Sequence, residues 1–188
     1  MTSTGRSQAQ NLMLRIVSEM DEGVYTTQLV KLIYVVDYFY FCNEGKTATG
    51  LSYIWDEYGP NATGHQLIKE AARLEEEGVI DIRPAPGGDQ ARTHHLMQPV
   101  QPEFDPVLGA IVEDVVRKYG SLAMRELVAL SKDTEPFRSA RPGKPLVMRR
   151  AQREVPVPSP EDWQHHLRER ALEGGKSVAE MKHRYGFD

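Results

Sequence analysis

The chain contains 188 residues, of which 40% are hydrophobic and 27% are charged, a composition typical of a soluble globular domain. Residues 1–135 carry 12 Lys and Arg against 20 Asp and Glu, whereas residues 136–188 carry 11 against 7, so the net charge of -4 divides into -8 and +4. This distribution argues against a generally basic nucleic-acid binder. No apolar run approaches the roughly 20 residues that a membrane helix needs. With one cysteine and no secretion signal at the N-terminus, we expect a cytoplasmic location.

The first two periodic segments predict two helices with different surroundings. In residues 8–20 apolar side chains recur at helical spacing, which predicts a surface helix with one apolar face. In residues 29–42, 12 of the 14 residues are apolar, which predicts the central helix of the core. Lys31 and Asp37 are the two exceptions in that run.

The middle of the chain predicts short extended segments around one helix. Residues 49–58 alternate imperfectly, which predicts a short strand. Thr63 and Gln66 have the spacing of a capping box at the start of a helix over 64–77. Residues 79–83 and 91–97 then predict a β-hairpin with a long tip.

Two further helices should form a tight hairpin. Asp105 and Pro106 are a strong helix start, and apolar residues continue along one face to Tyr119. Gly120 and Ser121 should end this helix and cap the next. Overall we predict a compact, mainly α domain with a small β element, that is, an α+β fold with a short β-hairpin and a C-terminal helical tail.

No pattern in the sequence supports catalysis, a metal or a cofactor. The tandem histidines at 94–95 and 165–166 do not present two nitrogens to one metal, because adjacent residues point away from each other on strands and helices. Phosphate loops, nucleophile elbows and zinc-protease motifs are missing from the sequence. Asp37 is either an acid or base in a cleft or, as we prefer, an acceptor that fixes neighbouring segments.

Composition changes after Glu135. Residues 136–153 contain six Lys or Arg and no acidic residue, and half of the twelve prolines lie between 136 and 160. Three interpretations remain open for this basic run: it contacts nucleic acid, it binds an acidic partner, or it folds back on the acidic body, where Glu75, Glu76 and Glu77 need a cationic neighbour. Beyond it, Trp163 and Leu167 lie on one narrow apolar stripe of a predicted helix.

Several motifs together resemble the Panacea domain, the SocA-like antitoxin domain, over roughly residues 8–147. They are Lys31-Leu32-Ile33-Tyr34 with Asp37 and Tyr40, the turn Tyr58-Gly59-Pro60, the helix end 74–80, and the helical hairpin around 119–131. The chain departs from the family pattern at Lys132 and Phe137, where the family commonly has histidine and tryptophan.

The resemblance implies a non-catalytic antitoxin or interaction module that binds and neutralises a cognate protein toxin, with presentation of the toxin to a cytoplasmic protease as a further expectation. We expect a domain at 1–135, a proline-rich basic linker at 136–159 and a helical tail at 160–188. The candidate partner-binding residues are Arg138, Arg141, Arg149, Arg150, Trp163 and Leu167. The candidate structural residues of the family motif are Lys31, Tyr34, Asp37, Tyr58, Gly59 and Pro60.

Two alternatives remain open. The chain could regulate its own operon by binding DNA through the helical hairpin and the basic run. It could also be a phage or mobile-element protein with another host target. Nucleic acid is the less favoured partner, because the second helix of the hairpin offers Arg125 and Lys132 beside Glu126 and Asp133.

Overall fold

The computed structural model describes residues 5–20, 22–85 and 91–149. Within these ranges the chain is mainly helical, with short antiparallel strands, as the sequence predicts. The helices are α1 (Gln8–Ser18), α2 (Thr26–Glu44), α3 (Gln66–Glu76), α4 (Pro106–Tyr119), α5 (Met124–Lys132) and α6 (Glu135–Ser139). The strands are β1 (Val24–Tyr25), β2 (Tyr53–Ile54), β3 (Asn61–Ala62), β4 (Ile80–Pro84) and β5 (Arg92–Leu96).

The core is built around α2, which contacts α1, α4 and α5. From Leu29 to Asp37 every residue of α2 is buried, because the surrounding helices cover it on all sides. The prediction of a central helix is therefore confirmed. None of the described helices combines the length and the apolar character that a membrane-spanning helix needs.

The prediction that α1 is a surface helix with one apolar face is wrong. Eight of its eleven residues are buried, and these include the polar Gln10 and Asn11. The reason is that α1 contacts α2, α3, α4 and β5, so neighbours cover most of its circumference. Its N-terminus has a capping box, in which Ser7 and Gln10 each accept a hydrogen bond from the other's backbone N–H.

The predicted β-hairpin is confirmed and gains one strand. β4 pairs with β5 in an antiparallel register that places Ile82 opposite His94, and β1 adds on the other side of β5 with Val24 opposite His94. The tip of the hairpin, residues 86–90, lies outside the described residues. On the outer edge of β4, the Ile82 N–H donates to the Glu75 carboxylate at 3.0 Å.

Two predicted helix caps are wrong. Thr63 and Gln66 do not form a capping box, because a short 3-10 helix at Thr63–His65 precedes α3 and His65 adopts left-handed φ at its start. Ser121 does not cap α5, whose N-cap is Ala123, two residues later. There the Glu126 carboxylate accepts the Ala123 N–H at 2.9 Å.

The segment after α6 lies along β2 as an extended strap, which we define as residues 141–149. Its backbone exchanges three hydrogen bonds with β2 and Trp55: Gly143 N–H to Trp55 carbonyl, Trp55 N–H to Lys144 carbonyl, and Leu146 N–H to Tyr53 carbonyl. Leu146 is buried in the core cluster. The strap therefore adds a third strand-like segment to the β2–β3 pair.

The predicted domain boundary after residue 135 falls inside this packed region. Pro136 and Phe137 of α6 are buried, and contacts with the body continue through Leu146. This proline-rich segment is ordered because the body provides the apolar surface that the segment lacks by itself. Residues 150–188 lie outside the described residues, so the division into a domain, linker and tail stays a prediction.

The strap generates a stability prediction with a matched control. Replacing Leu146 by Ala should lower the free energy of unfolding by about 2–3 kcal/mol, since it removes a buried side chain and its packing. Replacing the adjacent Val147, which is 56% exposed, should change it by less than about 0.5 kcal/mol. Urea unfolding of both variants measures the difference. Equal effects would mean that Leu146 does not anchor the strap.

Candidate functional site

Three polar side chains lie on one side of the otherwise apolar α2. Lys31, Tyr34 and Asp37 follow one another at intervals of three residues, and all three are at most 3% exposed. Because polar groups are costly to bury without partners, each should bind a group from another segment. We call these three residues the polar stripe.

Asp37 joins α2 to the segment that leads into β2. Its carboxylate accepts hydrogen bonds from the Thr49 N–H at 2.9 Å, from the Thr49 hydroxyl and from the Tyr53 hydroxyl at 2.7 Å. Burial raises the pKa of Asp37, whereas these hydrogen bonds act in the opposite direction. Asp37 thus accepts hydrogen bonds from Thr49 and Tyr53 and connects α2 to the segment that leads into β2.

Tyr34 joins α2 to the end of α5. Its hydroxyl lies 2.5 Å from the Thr134 hydroxyl, which itself donates to the Ser131 carbonyl, so Tyr34 is the donor of this pair. The Tyr34 ring packs edge-to-face against Tyr53 at a centroid distance of 5.0 Å. Tyr34 therefore links the α5–α6 junction to the Asp37 contacts.

Lys31 holds the turn at residues 56–60. Its ammonium donates to the Pro60 carbonyl at 2.6 Å. Burial lowers the pKa of Lys31 to about 8, the charge of Asp56 counteracts this shift, and the charge of Lys132 adds to it. Lys132 therefore brings a second cation to the surroundings of Lys31.

Gly59 allows the turn to lie directly on α5. Its φ is +90°, and a Cβ at this position would come within 2.8 Å of the Ser131 hydroxyl. Both the backbone conformation and the close approach therefore require glycine. Tyr58, the residue before it, is 66% exposed.

Phe137 contacts an aromatic ring from another segment. Its ring stacks on Trp55 with a centroid distance of 5.2 Å and an interplanar angle of 18°. Phe137 is buried, and its contact joins α6 to the segment after β2.

The candidate partner-binding residues that the structure describes lie on α6 and the strap. Arg138 pairs with Asp133 and Glu135. Arg141 and Arg149 are exposed, as is Lys144 between them, and none of these three makes an ion pair within the described part of the chain. We call Arg141, Lys144 and Arg149 the strap cations. Arg150, Trp163 and Leu167 lie outside the described residues.

The idea that the basic run neutralises residues 75–77 does not hold for the strap. Glu77 pairs with Arg6 at 3.5 Å, and Glu75 accepts the Ile82 N–H. Glu77 thus has a local cation, and among the described residues no strap cation pairs with Glu75, Glu76 or Glu77. The strap cations therefore remain available to another molecule.

Residues of the types that bind metals do not cluster in the described part of the chain. Across residues 5–20, 22–85 and 91–149 no group of three or more His, Cys, Asp or Glu is placed to hold a metal ion. His94 is buried beside the Thr26 hydroxyl at 2.9 Å, and burial lowers its pKa to about 4. His95 lies next to Thr93 instead.

Sequence reasoning missed the residues that complete the polar stripe. Thr49 and Thr134 bind it, and they lie 12 and 100 residues along the chain from Asp37 and Tyr34. The only local signal was the presence of charged and hydroxyl groups in an apolar run, which requires partners without identifying them.

The Asp37 contacts predict a large loss of stability on a small substitution. Asp37→Asn keeps the shape of the side chain but places an amide N–H₂ where one acceptor oxygen stood, which leaves buried donors facing each other. We expect the free energy of unfolding to fall by about 1–3 kcal/mol. Glu113→Gln, on the exposed face of α4, is the control and should be neutral. Chemical denaturation at pH 7 tests this, and equal stability of the two variants would contradict it.

Lys31 predicts a specific pH dependence. The folded chain releases the Lys31 proton at about pH 8, whereas the unfolded chain keeps it up to its ordinary pKa of 10.5. Because the unfolded state binds more protons in this window, stability should rise as the pH increases from 8 towards 10.5. Lys31→Met removes this titration. Between pH 7.5 and 9.5 the wild type should gain about 1–2 kcal/mol relative to the variant. Parallel pH profiles from urea unfolding would refute the prediction.

Comparison with known proteins places this arrangement in a family. The family model described as the antitoxin SocA-like, Panacea domain matches residues 29–137, which lie within the span of the predicted resemblance. No curated protein and no solved structure matches the chain significantly. The match supports an antitoxin role in general, a toxin as the kind of partner and a non-enzymatic activity. Because it covers more than half of the chain, the chain belongs to the family of SocA-like antitoxins that carry the Panacea domain.

Proposed function

We propose that this chain neutralises a cognate protein toxin by binding it and covering the surface through which the toxin acts. The family match supports a toxin as partner. The observation that carries the proposal further is the strap, which is fixed on the body by backbone hydrogen bonds and by Leu146 while its cations face outward.

The strap cations favour an acidic partner surface. Arg141, Lys144 and Arg149 lie within nine residues of one another, without an acidic residue between them. Charges of one sign on a restricted surface attract a complementary partner and accelerate association. Val147, 56% exposed in the same segment, supplies apolar contact area.

Residues beyond the strap extend this contact in our proposal. Arg150 continues the basic run, and Trp163 with Leu167 would bring large apolar side chains to the partner. The strap holds the chain beside β2 as far as Leu146. Arg138 is less suited to this role, since Asp133 and Glu135 already neutralise it.

The protein encoded next to this chain's gene is the first partner to test. Expression of that protein alone should stop growth, and co-expression of the full chain should restore it, because binding masks the toxic surface. Colony counts with and without the chain measure the effect. Unchanged toxicity, with no complex on size-exclusion chromatography, would contradict the proposed function.

Charge reversal tests the contribution of the strap. Arg141→Glu with Lys144→Glu should weaken the complex about 10- to 100-fold, mainly through a slower association rate that depends on salt. The matched control is Lys46→Glu with Lys69→Glu, which changes net charge equally at two exposed positions outside the strap. Stopped-flow measurement of the association rate at two ionic strengths compares the strap double variant with the control double variant. Equal loss in both would assign the effect to net charge and not to the strap.

Presentation of the bound toxin to a protease is a separate part of the proposal. If the chain only masks the toxin, the toxin's half-life should be unchanged or longer when both are expressed. If the chain also presents it, the half-life should shorten in proportion to the amount of complex. Pulse-chase labelling of the toxin distinguishes the two outcomes.

A further inference from the structure

The turn at residues 56–60 exposes a large aromatic side chain. Tyr58 is 66% exposed, the highest value among the large hydrophobic residues in the described part of the chain. Its hydroxyl makes no hydrogen bond within that part. The ring therefore contributes little to the stability of the folded body.

The backbone of this turn is nevertheless held from several directions. The Asp56 carboxylate accepts the Tyr58 N–H at 2.8 Å, and the Asp56 carbonyl accepts the Gly59 N–H at 2.9 Å. Lys31 on α2 donates to the Pro60 carbonyl. Gly59 rests against Ser131 so closely that a methyl group would not fit. The backbone that carries Tyr58 is thus held by contacts within the chain.

Burying Lys31 is not explained by stability alone. Removing an ammonium group from water is unfavourable, and the hydrogen bond to the Pro60 carbonyl together with the charge of Asp56 compensates it only in part. The group that Lys31 holds is the turn, and the largest side chain on the turn faces solvent.

An exposed aromatic residue on a held backbone is well suited to binding. Tyrosine is enriched among residues that dominate interface energies, and a turn whose backbone is already held loses little backbone entropy on association. The turn also carries two carboxylates, Asp56 and the exposed Glu57. A complementary pocket would therefore be apolar inside and cationic at its rim.

We propose that the 56–60 turn is a second contact element of this chain and that it inserts Tyr58 into an apolar pocket, rimmed by Lys or Arg, on the protein partner. Lys31 is a positioning residue, which acts on the partner through the turn without touching it. This inference rests on the proposed function, since it names a contact of the same toxin complex. It is distinct from the strap, whose charge is of the opposite sign.

The direct test compares two exposed apolar residues. Tyr58→Ala should weaken binding of the full chain to the neighbouring gene's product about 10- to 100-fold, as expected for a central aromatic residue. Its midpoint of thermal unfolding should be unchanged, because the ring is exposed. Ile68→Ala, 53% exposed on α3, is the control and should bind as the wild type does. Isothermal titration calorimetry gives both affinities.

A double-mutant cycle tests the positioning role of Lys31. Lys31→Met should weaken binding in the wild-type background but have little further effect when Tyr58 is already Ala, because its influence passes through that ring. A general loss of folded structure would instead weaken binding by the same factor in both backgrounds. Circular dichroism at the temperature of the binding measurement confirms that each variant is folded.

The outcomes separate this inference from the proposed function. If the wild-type complex forms and relieves toxicity while Tyr58→Ala binds normally, the turn proposal is wrong and the antitoxin proposal stands. If Tyr58→Ala and Ile68→Ala weaken binding equally, the turn has no special role and the proposal is also wrong. If the wild-type chain neither binds nor protects, both proposals fall.

Discussion

A buried helix that carries polar side chains must find a partner for each of them, and this requirement organises the whole body. α2 is buried along most of its length, so water cannot form hydrogen bonds with Lys31, Tyr34 or Asp37. Each reaches a different segment: the 56–60 turn, the α5–α6 junction and the residues leading into β2. These segments have little regular structure of their own. The hydrogen bonds of α2 place them, and hydrophobic packing alone would leave their positions far less defined.

The two contact elements proposed for the partner depend on the same stripe. Tyr53 connects the strap to the polar stripe, since its hydroxyl donates to Asp37 while its carbonyl accepts the Leu146 N–H of the strap. Lys31 fixes the turn on the other side of Gly59. Stability and recognition are therefore difficult to separate by mutating α2 itself. The exposed residues Tyr58, Arg141 and Lys144 are better probes, because the core does not use their side chains.

The sequence allowed prediction of the features that arise from local chemistry and periodicity. The apolar run of α2 indicated its burial, and Asp105 with Pro106 marked the start of α4, where Asp105 accepts the Leu108 N–H as expected. Predictions failed where contacts between residues distant in the sequence determine burial or order. α1 has an ordinary amphipathic pattern, yet four elements cover it. The strap has the composition of a linker, yet Tyr53 and Trp55, about ninety residues earlier, provide its hydrogen bonds. For Asp37 the need for donors was predictable, but Thr49 and Tyr53 were not.

The Glu75 contact at the edge of the sheet has a consequence for self-association. An exposed edge strand offers unpaired N–H groups to any other extended chain, including another copy of the same protein. On β4 the Glu75 carboxylate occupies the Ile82 N–H, and Pro84, which has no N–H to offer, ends the strand. Edge-to-edge aggregation through β4 is thereby discouraged.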